Sequence, residues 1–157
     1  MAFIHEAHRL PALCAELRGP GILRRRRTPM GRTLESAGIP VIYASGTLSL
    51  ACLEFLAHFS SAADTPELAS FRLEFDSRLA TDLSQLPVDW RKALAPKSTQ
   101  ALGEHWWRAR TSAVLRVPSV IIPSEQNFLL NPSHSDFRQI TIGVAEPFKL
   151  DQRLWRT

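Results

Sequence analysis

Ile39–Phe59, IPVIYASGTLSLACLEFLAHF, decides how this chain is read. Val41 to Ala44 is a short apolar run of the kind that forms a buried strand. Ser45-Gly46-Thr47 then turns the chain, and Ser45 or Thr47 can cap a following helix. Leu48, Ala51, Cys52, Phe55, Leu56 and Phe59 recur at helical spacing and make a wide apolar stripe. Leu50, Leu53 and Ala57 carry apolar character further round the cylinder, so the helix is expected to be central. Its one acid, Glu54, is expected on a different face, in line with Leu50 and His58. An unpaired carboxylate is costly to bury. Glu54 therefore either faces solvent or has a site built around it.

Before this stretch, residues 1–38 are punctuated by Pro11, Gly19-Pro20-Gly21, Pro29, Gly31 and Gly38-Ile39-Pro40. They read as irregular, with room for a short helix over Ala12–Arg18. After it, Ser70–Asp76 (SFRLEFD) alternates Phe71, Leu73 and Phe75 with charged residues, the pattern of a half-buried strand. Leu83–Pro96 is a proline-bounded connection. Ser98 is placed to cap a helix reaching Arg110, with Ala101, Leu102, His105, Trp106 and Ala109 inward. The last third offers strands at Ala113–Val117, Val120–Ile122, Phe128–Leu130, Gln139–Val144 and Phe148–Leu150. The expected class is α+β: a compact, mainly antiparallel sheet with packed helices, forming one domain over residues 1–157.

A chain of 157 residues, 45% hydrophobic and 22% charged, can bury a core without staples. Its two cysteines, Cys14 and Cys52, make neither a disulfide framework nor a zinc site, which suits a reducing compartment. The start, MAFIHEAHRL, is too polar for a signal peptide, and no run is long enough to span a membrane. The chain reads as cytoplasmic, with no membrane partner. Much of the net charge of +4 sits in Arg24-Arg25-Arg26-Arg27. No interleaved aromatics accompany that run, so it reads as a solvated loop rather than a direct nucleic-acid contact.

Phosphate-loop, dinucleotide, His-Glu-x-x-His and Gly-x-Ser-x-Gly motifs are all missing. What remains is a scattered polar set: Arg9, Arg32, Tyr43, Glu54, Ser119, Asn131 and His134. The last two flank Pro132 and read as turn formers.

In order along the chain stand His8-Arg9, Gly19-Pro20-Gly21, Gly31-Arg32, Gly38-Ile39-Pro40-Val41-Ile42-Tyr43-Ala44-Ser45 and Leu53-Glu54 with His58. LPVDW (Leu86–Trp90), STQALGEHW (Ser98–Trp106), VPS (Val117–Ser119) and NFLLNPSH (Asn127–His134) follow. Each block alone is weak, but their order and spacing are specific. Over nearly its whole length the chain resembles the RES-domain family, toxin halves of a bacterial toxin–antitoxin class named for an Arg, a Glu and a Ser. One block departs: after Gly-Arg the family usually carries Trp, then Asn or His, where this chain has Thr33-Leu34.

The resemblance implies a fold similar to the ADP-ribosyltransferase toxins and NAD as substrate, with no metal. It implies cleavage of the nicotinamide–ribose bond by hydrolysis or phosphorolysis, and a small DNA-binding, Xre-like antitoxin as partner. The residues it singles out suit that chemistry. Arg9 and Arg32 would hold the pyrophosphate, since guanidinium forks bind phosphate oxygens in pairs. Tyr43 would offer a ring and a hydroxyl to nicotinamide or ribose. Glu54 would stabilise positive charge developing on the ribose. Ser119, with no base in view to activate it, would hydrogen-bond ligand or Glu54. Three rivals stay open: an ADP-ribosyltransferase acting on a protein, a degenerate member that no longer turns over NAD, and a basic RNA-binding protein using Arg24 to Arg27.

Overall fold

The computed structural model describes residues 9–17, 39–57, 68–83, 85–92 and 96–155, and for 9–17 the backbone alone. The class is α+β. Eight strands, β1 (Arg9–Leu17), β2 (Ile42–Ser45), β3 (Leu68–Asp76), β4 (Ala80–Asp82), β5 (Val114–Pro118), β6 (Gln126–Leu130), β7 (Thr141–Ile142) and β8 (Glu146–Phe148), form one sheet. The order is β4-β5-β6-β2-β1-β3-β7, and β8 also pairs with β3. Only β4–β5 is parallel among the pairings of the described residues. Two helices, α1 (Leu48–Leu56) and α2 (Lys97–Ala109), complete the described core.

The deciding stretch folds as strand, turn and helix. β2 lies against β6 with Tyr43 opposite Leu129 and Ser45 opposite Asn127. Thr47 is the helix cap, its hydroxyl accepting from the Leu50 amide at 3.1 Å, which satisfies one of the amides a helix start leaves open. The burying face differs from the expected stripe. Leu50 is fully buried and Ala51 nearly so, whereas Leu53 is 39% exposed and Leu48, Cys52, Phe55 and Leu56 are half-buried. Apolar residues run almost all round this helix, so its sequence alone does not choose an inward side. Packing against β1 and β2 does. Glu54 stands one turn after Leu50, on the same face, and is drawn inward with it.

The sheet has two working faces, because side chains alternate along each strand. On one, Ala44, Leu73, Phe75, Val114, Phe128 and Leu130 pack together with Ile140. Phe75 and Phe128 meet edge to face, with centroids 5.5 Å apart. On the other, Leu115, Val117 and Leu129 take Trp106 of α2. The Trp106 indole donates to the Ser112 hydroxyl at 2.9 Å, and that hydroxyl donates to the Val114 carbonyl at 2.7 Å. A buried indole N–H is thereby satisfied.

Four local expectations are corrected. The helix expected over Ala12–Arg18 is not found at Ala12–Leu17, its described part: Arg9–Leu17 is a strand in a nine-residue ladder with β3, from Arg9 opposite Asp76 to Leu17 opposite Leu68. A helix that short is marginal by itself, and the ladder supplies hydrogen bonds it cannot match. Val120–Ile122 is not a strand, because the amides of Ile121 and Ile122 are taken by the Ser119 hydroxyl at 3.1 and 3.0 Å. Ser98 does not cap α2: it lies in the first turn and donates to Asp89 at 2.8 Å, while Pro96 holds the cap position. The inward side of α2 is Thr99, Gly103 and Trp106, and Ala101, His105 and Ala109 are exposed.

Asn131 and His134 form turns, as their setting around Pro132 suggests. Asn131 is fully buried. Its side-chain oxygen accepts from the Ser133 amide at 2.9 Å, and its amide donates to the Trp107 carbonyl at 3.3 Å near the end of α2. His134 caps the following turn through Nδ1, which accepts from the Asp136 amide at 3.1 Å. Replacing Asn131 with Ala removes the side-chain partner of the Trp107 carbonyl and of the Ser133 amide and empties a fully buried position. The variant should lose about 2–3 kcal/mol of stability, read as a lowered midpoint in urea unfolding.

Candidate active site

One end of the sheet gathers the polar residues. β2, β6 and β5 all reach it, at Ser45, Gln126 and Pro118. β1 runs antiparallel to β2, so Arg9, at its first position, also lies at this end. α1 starts there, just after the Gly46-Thr47 turn. The Gly46 amide donates to the Gln126 carbonyl at 2.9 Å. A Cβ on Gly46 would stand 3.3 Å from that same oxygen, so glycine permits the close approach.

Glu54 is half-buried between α1 and this strand end. Its Oε1 accepts from the Ser119 hydroxyl at 2.7 Å and from the Asn127 side-chain amide at 2.6 Å. Both of these donors are neutral. Ser119 is fully buried. Its backbone amide donates to the Glu125 carbonyl at 2.9 Å, which closes the 119–125 loop. Asn127 is oriented in turn by Ser45, whose hydroxyl donates to Asn127 Oδ1 at 2.7 Å. Thr47 donates to a Glu125 carboxylate oxygen at 3.0 Å, a further tie between α1 and the loop.

Of the residues singled out from sequence, the structure brings Glu54 and Ser119 into direct contact. Tyr43 lies on the same sheet face as Ser45, two positions away, half-buried against the Trp106, Leu115, Val117 and Leu129 cluster. Arg9 is placed by its backbone only. Arg32, His58 and Arg24 to Arg27 lie outside the described residues. Asn131 and His134 sit at the far end of β6 and do not join the group.

Asn127 is the residue sequence reasoning passed over. It lies in the NFLLNPSH block, where residue type alone assigns it no role. The available signal is period two: Asn127 shares a face with Leu129, which is fully buried. An amide on a buried face requires partners.

Burial pushes the Cys52 thiol up from its ordinary value, which keeps it protonated and a poor nucleophile. Among the described residues, no three His, Cys, Asp or Glu side chains converge in a way that could hold a metal ion. No described helix is long and apolar enough to cross a membrane. An open cleft lined by Asp82, Leu83, Arg116, Pro118 and Gln126 lies close by in sequence. Arg116, Pro118 and Gln126 alternate with Val117 and Asn127, which places them on the opposite sheet face from the Glu54 group.

Comparison with known proteins gives this arrangement a family. A Yersinia enterocolitica protein named Toxin Res is 34% identical over 121 residues, covering 74% of this chain and 79% of that protein. A Pseudomonas putida Toxin Res is 33% identical over 144 residues, covering 90% of this chain and 94% of its own length. The Prs ADP-ribosylating toxin of a Sphingobium species is 29% identical over 131 residues, covering 80% and 81%. The RES domain family model matches residues 4–151, and the chain belongs to the RES-domain family.

Proposed function

We propose that this protein is a toxin that consumes NAD by cleaving its nicotinamide–ribose bond. The observation that carries the reading is the half-buried Glu54 carboxylate, held by two neutral donors at an end of the sheet. As the glycosidic bond breaks, its electron pair leaves with nicotinamide and positive charge grows on the ribose ring. A fixed carboxylate beside that carbon stabilises the charge without reorganising. Water or phosphate then adds to the ribose carbon, and the proton released by water goes to solvent.

Arg9 and Arg32 are proposed to hold the pyrophosphate through paired hydrogen bonds. The backbone position of Arg9 at the Glu54 end of the sheet supports the first assignment. Tyr43 is proposed to contact the nicotinamide or ribose, and Ser119 to serve Glu54. The whole chain is read as one domain. Its regulator is proposed to be a small Xre-like DNA-binding antitoxin, with expression in the cytoplasm. A second reading is favoured by the relative named as ADP-ribosylating: the same bond is cut, but a protein side chain accepts the ADP-ribose. Labelled NAD separates the two, giving free ADP-ribose or its phosphate in one case and labelled protein in the other.

Expression of the chain without a partner should lower cellular NAD and arrest growth. Arrest with unchanged NAD would overturn the reading.

Glu54→Gln should abolish turnover while the melting temperature stays close to that of the parent. The side chains are nearly isosteric, but only Glu carries the charge. Full activity in folded Glu54→Gln protein would remove the carboxylate from the mechanism.

Arg32→Ala should weaken NAD use more than tenfold, since a hydrogen bond to a charged group is worth roughly 1.5–3 kcal/mol. Changing Arg24 to Arg27 together to Gln should do much less. The NAD dependence of turnover in both variants is the measurement. The reverse ranking would move the phosphate site into the arginine run.

A further inference from the structure

We infer that Asn127 is a positioning residue that reserves Oε1 of Glu54 for the protein and leaves Oε2 for the substrate. The inference rests on the proposed role of Glu54 and adds to it a division of labour between the two carboxylate oxygens.

Two donors converge on Oε1, at 2.7 Å from Ser119 and 2.6 Å from Asn127. That uses both in-plane lone pairs of this oxygen. No described residue donates to Oε2 in the same network. The direction of each donor is fixed from behind. The Asn127 side-chain oxygen accepts from Ser45 at 2.7 Å. A flipped amide would set that oxygen against the carboxylate and its NH2 against the Ser45 hydroxyl. Ser45 is buried on β2 and faces Asn127 in the ladder, so it is a rigid support.

The Ser119 hydroxyl is similarly committed. It accepts from two backbone amides, Ile121 and Ile122, so its own proton is left to point at Glu54. With both lone pairs engaged it has none to offer a ribose carbon. Ser119 therefore positions Glu54 and is not a nucleophile. The two donors together lock a side chain that would otherwise sample several rotamers, an ordering cost met on folding rather than at the transition state.

Other titratable groups lie on the elements around Glu54. They are Tyr43 on β2, Cys52 on α1, Glu125 on the loop, and Arg9, Cys14 and Glu16 on β1, whose side chains lie outside the described residues.

The test uses Asn127→Ala and Asn127→Asp in the full chain. Asn127→Ala should lower kcat for NAD consumption about tenfold or more while KM stays within about twofold. Asn127→Asp is nearly isosteric but sets a second carboxylate against the first. The pair should then share a proton, moving the acid limb of the pH–rate profile up by about one pH unit or more. An unchanged kcat in the first variant and an unmoved acid limb in the second would overturn the inference. Carbon-13 titration of the Glu54 carboxyl in parent and Asn127→Asp protein gives the same answer without turnover. A wild-type chain that leaves NAD untouched would defeat the proposed function. The carboxyl titration would still support the Asn127–Glu54 coupling if it shifts, or sink it if it does not.

Discussion

The Glu54 carboxylate between Ser119 and Asn127 is the contact on which the rest of this structure depends. It joins a helix to two strand ends 65 and 73 residues later in the chain. A half-buried carboxylate loses free energy without partners, so these hydrogen bonds favour docking of helix and loop together. α1 has only nine residues, too few to be stable alone. Its orientation is set by this polar tie together with the fully buried Leu50, one turn earlier on the same face. The Thr47–Glu125 bond and the Gly46–Gln126 backbone bond hold its first turn to the same loop.

β6 organises both helices. Asn127, Leu129 and Asn131 fall on the same side of the chain at alternate positions, and Leu129 is fully buried. Asn127 reaches α1 through Glu54, and Asn131 reaches the end of α2 through the Trp107 carbonyl. The two asparagines look alike in sequence. Their surroundings separate them: one feeds a carboxylate at the site, and the other satisfies backbone groups in a turn. The opposite sheet face carries the apolar cluster of Phe75, Phe128 and Leu130 at its centre.

Much of this was legible along the chain. Period-two alternation marked β3, an apolar run followed by Ser-Gly-Thr marked the β2–α1 unit, and Thr47 took the cap position its residue type favours. Glu54 stood out because one acid among apolar neighbours demands an explanation. Elsewhere local pattern misled. The first strand carries residues common in helices, and only its long ladder with β3 makes it extended. The inward side of α1 was misjudged because almost every side of it is apolar. Val120–Ile122 has the composition of a strand, yet one hydroxyl captures two of its amides.

Sequence by itself determined the kind of protein: an α+β chain whose ordered short blocks resemble one family and whose one acid on the apolar α1 helix is conspicuous. Those features are local, written in residue types and spacings that survive without a fold. Only the tertiary structure decided what Glu54 touches, which of its oxygens is engaged, and that Asn127 rather than Asn131 joins it. Hydrogen-bond partners 65 to 82 positions apart are chosen by strand register and helix docking. A one-residue slip in register would turn Asn127 to the opposite face, and nothing in the composition of β6 alone forbids that slip.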